Sequence, residues 1–248
     1  MTPAPAPIEL EQTEWGSGDR HFLIVHGLGS NAAGWWRVGP ALADAGFHVV
    51  GVDLRGHGTS DSPGDYRVHA YATDLLALEY EWDVVLGHSL GGAAVVQAMT
   101  ERPDWTSRVI LEDPMLILLD QEAAAEYVTA DLGPDVSVED VAAANPTWHF
   151  EDARIKYEAQ SQAGRAVLED SIAHNPGWNV VSAVADLDVP TLLLGADPDL
   201  GPLVPPALGV SLAEMNPSIE FHTVVGGSHS MHRDEFEVFM ERVLAFVN

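Results

Sequence analysis

Six short, almost continuously apolar runs recur along the chain, with helix-compatible stretches between them, and this rhythm limits the possible folds more than any other feature. The runs are "RHFLIVHG" (20–27), "FHVVGVDL" (47–54), "WDVVLGHS" (82–89), "SRVILED" (107–113), "VPTLLLGAD" (189–197) and "IEFHTVVGG" (219–227). A strand with one wet face alternates apolar and polar residues. Strands this uniformly apolar need cover on both faces, as in a parallel sheet flanked by helices. An earlier stretch, "IELEQTEW" (8–15), does alternate and fits an antiparallel edge strand. Helix-like segments at 34–45, 66–80, 91–101, 206–215 and 234–247 complete an α/β pattern of the doubly wound kind. Residues 115–185 break the rhythm: they carry no strand pattern and read as helices punctuated by Asn145-Pro146 and Asn175-Pro176-Gly177. The expected organisation is a core from 1–114 and 186–248, with 115–185 as a helical cap inserted into it rather than an independent domain.

The balance of charge narrows the partners. Eleven Lys and Arg against 38 Asp and Glu give a formal net charge of −27, and Lys156 is the sole lysine. Such a surface repels nucleic acid and anionic membranes, and it weighs mildly against a polyanionic substrate. A small molecule is therefore the expected partner, with neither nucleic acid nor membrane; the sequence leaves the oligomeric state open. Without cysteine, neither disulfides nor thiolate metal sites can form. The start, "MTPAPAPIEL", lacks a basic segment followed by an apolar one, so it reads as a loose polyproline-like tail and not as a secretory signal. A cytoplasmic location is the expectation.

One strand runs directly into "GHSLGG" and a small-residue helix, Gly87 to Gly92. A serine between two glycines at a strand-to-helix turn occupies strained backbone that bulky neighbours would block, and the strain holds its hydroxyl out at the sheet edge. The helix start aims free N–H groups at the same point. Ser89 is thus a candidate nucleophile. A hydroxyl needs a base to take its proton, and "GGSHSMHRDEF" places His229 after the last apolar run, with His232 as a weaker second candidate. "VHGLGSN" (25–31) supplies a glycine loop after another central strand. From it the Leu28 N–H, together with the Leu90 N–H, can face one developing oxyanion. No carboxylate pattern accompanies the two histidines, so no metal is expected.

These motifs, in this order, resemble the α/β-hydrolase fold superfamily over nearly the whole chain. "HGLGSNAAGW" is similar to its oxyanion loop, "DLRGHGTSD" (53–61) to the turn after the next strand, "GHSLGG" to the nucleophile elbow and "GGSH" to the histidine loop. The resemblance implies an eight-stranded, mostly parallel sheet, a helical cap and hydrolysis without a cofactor. It also implies a carboxylate after one of two strands. The earlier strand offers Glu112 and Asp113, and the later one offers Asp197 and Asp199. The familiar later form would put the acid at 198, where this chain has Pro198. The "ADP" run resembles haloalkane dehalogenases, many of which carry the acid on the earlier strand, and the favoured residue is Asp113, with Asp197 next. Epoxide hydrolases and haloalkane dehalogenases of this fold use an aspartate at the elbow, so Ser89 disfavours both activities.

The expected activity is hydrolysis of a small or medium, mostly uncharged carboxylic ester or lactone through an acyl-enzyme. Trp148, Tyr157 and Trp178 are the main candidates for lining the pocket, with His149, His174, Trp35 and Trp36 as further ones. Arg154 and Arg165 are available should an acidic substrate need a cap arginine. The competing readings are a C–C hydrolase of aromatic catabolism, a non-catalytic small-ligand-binding member of the fold, and a haloperoxidase side activity.

Overall fold

The computed structural model describes residues 5–130, 133 and 135–248. Seven strands form one sheet: β1 (Gln12–Trp15), β2 (Arg20–Val25), β3 (Phe47–Val52), β4 (Val84–His88), β5 (Val109–Glu112), β6 (Thr191–Gly195) and β7 (Ile219–Thr223). Their spatial order is β1-β3-β2-β4-β5-β6-β7, with β1 antiparallel to β3 and every other pair parallel. The chain is an α/β-hydrolase fold with seven strands among the described residues, against the eight expected. Pro5 and Pro7 lack the N–H that a sheet ladder needs, so the segment before β1 enters as coil. That segment is nonetheless held: Arg55 Nη2 donates to the Ala6 carbonyl at 3.3 Å, and the Ile8 N–H donates to Asp74 Oδ1 at 2.8 Å. The stretch read as a loose tail is therefore anchored from Ala6, while Met1 to Ala4 lie outside the described residues.

The helices are α1 (Val38–Asp44), α2 (Val68–Leu76), α3 (Leu90–Glu101), α4 (Gln121–Thr129), α5 (Val138–Ala144), α6 (Phe150–Ala173), α7 (Val181–Ala185), α8 (Pro206–Met215), α9 (Met231–Asp234) and α10 (Phe236–Val247). Alternate strand residues divide the core into two layers. Leu23, Val25, Val85, Leu111 and Leu193 pack with the α2 and α3 side, whereas Phe22, Ile24, Leu86, Ile110 and Leu192 pack with α1 and α10. All ten are buried, which explains why their runs lack alternation; truncating one such leucine to alanine costs about 2–5 kcal/mol.

Two features of this topology position the site. From β2 the chain moves to β3 on one side and then returns to β4 on the other. The loops leaving β2 and β4 diverge there and open a crevice at the carboxyl ends of the strands. Among the described residues between β5 and β6 lie only helices, α4 to α7, and one isolated antiparallel bridge from Ile117 to Asn179. Among the described residues, no helix is long and apolar enough to cross a membrane.

Candidate active site

Ser89 joins β4 to α3 with φ 53° and ψ −118°. Asp113, at the end of β5, has φ 36°, and these two are the only non-glycine residues at positive φ among those described. Backbone held in so sparsely populated a region costs about 1–3 kcal/mol per residue and persists only where the surroundings enforce it. Here they do. The Ser89 N–H donates to the Glu112 carbonyl (3.1 Å), the Met115 N–H donates to the Ser89 carbonyl (3.0 Å), and the Asp113 N–H donates to Leu194 (2.8 Å). The turn also needs its glycine: a Cβ on Gly91 would lie 2.4 Å from the Val25 carbonyl oxygen. A Cβ on Gly27 would come within 2.9 Å of Ser89 Cβ, so the β2 loop reaches the serine only because that residue has no side chain.

His229 follows β7. Its Nδ1 lies 2.7 Å from Asp113 Oδ2, and since a carboxylate only accepts, Nδ1 carries the proton and Nε2 is left as the basic nitrogen. The Asp113 carboxylate is completely buried and accepts two further bonds, from the Leu203 N–H (3.1 Å) and the Val204 N–H (2.9 Å). Three donors satisfy its charge where no water reaches it. His88, next to the serine, donates from Nε2 to the His229 carbonyl at 2.8 Å and so ties the histidine loop to the elbow.

The other candidate acids are occupied elsewhere. Asp197 accepts from Gly226 (2.8 Å) and Asp199 (2.9 Å), capping a short helical turn; these backbone bonds hold its carboxyl below the usual range. Asp199 is exposed on that same turn. Glu112 is buried against His232, whose backbone N–H donates to its Oε1 at 2.9 Å and whose Nδ1 lies 2.8 Å from the same oxygen. Burial raises the Glu112 pKa to about 8 and lowers that of His232 well below its usual value, favouring the neutral form of each. His232 stacks on Trp35 at 4.2 Å, and the pair braces the histidine loop from beneath. Burial also keeps His26 and His57 neutral, with pKa values lowered to about 4 and about 3.

One cavity of about 710 Å³ is lined by Ser89, His229 and Leu28, and by Trp148 from the segment between α5 and α6. Leu90 is the first residue of α3, at the helix end where N–H groups have no partner within the helix. Two of the three main pocket candidates do not line the cavity. Trp178 turns its indole N–H to the Met115 carbonyl (3.0 Å) and packs on the core. Tyr157 lies one residue, about 100° of helix rotation, beyond Lys156, and it is Lys156 and Gln160, one turn apart on α6, that face the cavity. His149 caps α6, His174 accepts from the Tyr66 N–H, and Trp36 binds Asp152. Arg154 pairs with Glu151 on the helix surface, and Arg165 with Glu169. The sequence reading missed Arg233, whose guanidinium sits at the cavity wall. It is one of only two basic residues after Arg165, a signal that was there to be used.

A strained serine and a carboxylate-bound imidazole on one apolar cavity, at the carboxyl edge of a doubly wound sheet, define a hydrolase-type site. Residues 22–242 match the model of the alpha/beta hydrolase family, and the chain belongs to that family. A 2-(acetamidomethylene)succinate hydrolase of Mesorhizobium japonicum is 27% identical over 97% of this chain and 92% of its own. A solved structure of E-2-(acetamidomethylene)succinate hydrolase superposes with TM-score 0.79 at 26% identity, covering 96% of this chain and 94% of that one. Lipase LipV of Mycobacterium tuberculosis is 33% identical over 52% of this chain and 50% of its own length. Mycobacterial relatives at 44% identity are matched over 39% of this chain and only 29% of theirs.

Proposed function

We propose that the protein is a serine hydrolase that cleaves a small or medium carboxylic ester or lactone through an acyl-enzyme. Ser89 Oγ attacks the carbonyl carbon while His229 Nε2 takes its proton. The Leu28 and Leu90 N–H groups receive the oxyanion, and the imidazolium then protonates the leaving oxygen. Water, deprotonated by the same nitrogen, releases the acid and restores Ser89. Asp113 holds the ring in the reactive tautomer and stabilises its charged form. The observation that carries this reading is the 2.7 Å bond from His229 to a buried Asp113 on the cavity that Ser89 also lines. Relatives that bear the names of a hydrolase and a lipase support the reaction class. In this reading 115–185 is a cap that supplies part of the pocket.

The test is hydrolysis of p-nitrophenyl butyrate by the wild type and by Ser89→Ala. A loss of at least about 10⁴-fold in kcat is expected; equal rates would refute the proposal.

A further inference from the structure

The cavity wall contradicts the charge of the rest of the molecule. The chain has 38 acidic residues against eleven Lys and Arg. Yet among the described residues the cavity is lined by two cations, Arg233 and Lys156, and by no aspartate or glutamate.

Arg233 is 4% exposed. Nη2 donates to Ser30 Oγ at 3.3 Å, and the guanidinium carbon lies 4.5 Å over the Trp148 ring. The ring occupies one face of the plane; on its edge, Nε has no hydrogen-bond partner. Among the described residues, no carboxylate lies within ion-pair distance of the guanidinium. The three nearby acids act on it only from beyond that distance. Asp152 binds Trp36 (2.9 Å) and Arg37 (3.1 Å), Glu112 accepts from the His232 N–H (2.9 Å), and Asp234 accepts from the Ser228 N–H through Oδ2 (3.0 Å) while its Oδ1 has no hydrogen-bond partner. A buried cation with no carboxylate at ion-pair distance is costly to hold, and only the more distant Asp152, Glu112 and Asp234 offset its burial. One that faces a cavity beside the oxyanion loop is a site for an anion. A second buried polar atom on the same wall, Gln160 Oε1, is also unpartnered. Lys156 donates to the Gly29 carbonyl at 3.2 Å and adds its charge to this wall.

We infer that the substrate carries a free carboxylate besides the bond that is cleaved, and that Arg233 receives it against Ser30 and Trp148. The planar fork of arginine matches both oxygens of a carboxylate. The reaction stays in balance: a monoester of a dicarboxylic acid and water yield the diacid and the alcohol. The inference refines the acyl-transfer reading of Ser89 and rests on it for the bond that breaks; the recognition of the acid group can be measured separately.

The experiment is calorimetric titration of the inert Ser89→Ala chain with monomethyl glutarate and with dimethyl glutarate, at neutral pH and about 0.15 M salt to screen the surface charge. The monoester is expected to bind about 30-fold or more tighter than the diester. Arg233→Met in the same background should bring the two within about threefold, while Arg233→Lys retains part of the preference because it keeps the charge and loses the fork. Equal binding of the two esters by the Ser89→Ala chain, or a preference that survives Arg233→Met, overturns the inference. Should the methionine variant not fold, the ester comparison in the Ser89→Ala chain together with Arg233→Lys decides it. Butyrate hydrolysis without any carboxylate preference defeats this inference alone. Carboxylate binding through Arg233 in a chain that cleaves no ester defeats the acyl-transfer reading and leaves the anion site standing.

Discussion

The sheet edge and the helices that cover it are built by opposite rules. At the edge, Ser89, Glu112, Asp113 and His232 are all buried, and each is fixed by bonds to a different loop. Above it, α4 and α5 bury one residue each, Thr129 and Val141, while Leu119 and Tyr127 stand largely in solvent. Reactive geometry is thus held by buried, bonded residues, whereas α4 and α5 present exposed side chains that can be exchanged at little cost; α6, which buries ten residues, sides with the sheet edge.

The contrast can be broken most directly at the two rival carboxylates. Asp113→Asn should lower kcat by about 10⁴-fold, because the amide favours the wrong tautomer of His229. Asp197→Asn, at a surface turn, should leave kcat within about threefold of the wild type. If ester kinetics ranked the two variants the other way round, the division of roles drawn here would be reversed.

Next in size is Gly91→Ala. Its methyl would press on the Val25 carbonyl at 2.4 Å, and about 3 kcal/mol or more of stability should be lost in urea unfolding. A variant as stable as the wild type would mean that the elbow is looser than described.

Acid should then weaken the fold. His26 and His57 are buried neutral, with pKa values lowered to about 4 and about 3. The unfolded chain binds protons below pH 6.5 that the folded one refuses, so stability is fully present above pH 6.5 and falls as the pH drops from there toward 4. Glu112, raised to about 8 by burial, acts in the opposite sense between pH 4.5 and 8, but it is one group against several. His57→Leu should flatten the acid limb measurably. An unchanged slope in unfolding free energy against pH would show that another group causes it.

The smallest effect belongs to α4. Tyr127 lines the cavity and yet is 72% exposed. Tyr127→Ala should shift KM by a few-fold and stability by no more than about 0.5 kcal/mol. A loss comparable with that of Gly91→Ala would erase the distinction between the two regions.

The same division explains what could be read from the sequence. Strands buried on both faces show themselves as unbroken apolar runs, and a serine elbow shows itself through the strand and the helix on either side of it. The acid was harder, because "LEDP" and "GADPD" look equivalent along the chain. Only the approach of the His229 loop to the end of β5, 116 residues away in sequence, separates them. The faces of α6 were not legible either. The helix carries a non-helical kink at Gly164, and which residues face inward depends on how it is rotated over the sheet. Trp178 was plausible as lining because it is aromatic, but its N–H found a backbone carbonyl instead. Arg233 sits among "SMHRDEF", where a basic residue near a helix start looks like ordinary surface charge until the fold turns it inward.

The central claim is that Ser89 is the nucleophile, activated by His229. Treatment with a fluorophosphonate, followed by peptide mass mapping, tests it directly. Rapid, stoichiometric modification at Ser89, abolished in His229→Gln with the fold intact, is the predicted result. Absence of label on folded wild type, modification at another serine, or equally fast labelling without the histidine would contradict it.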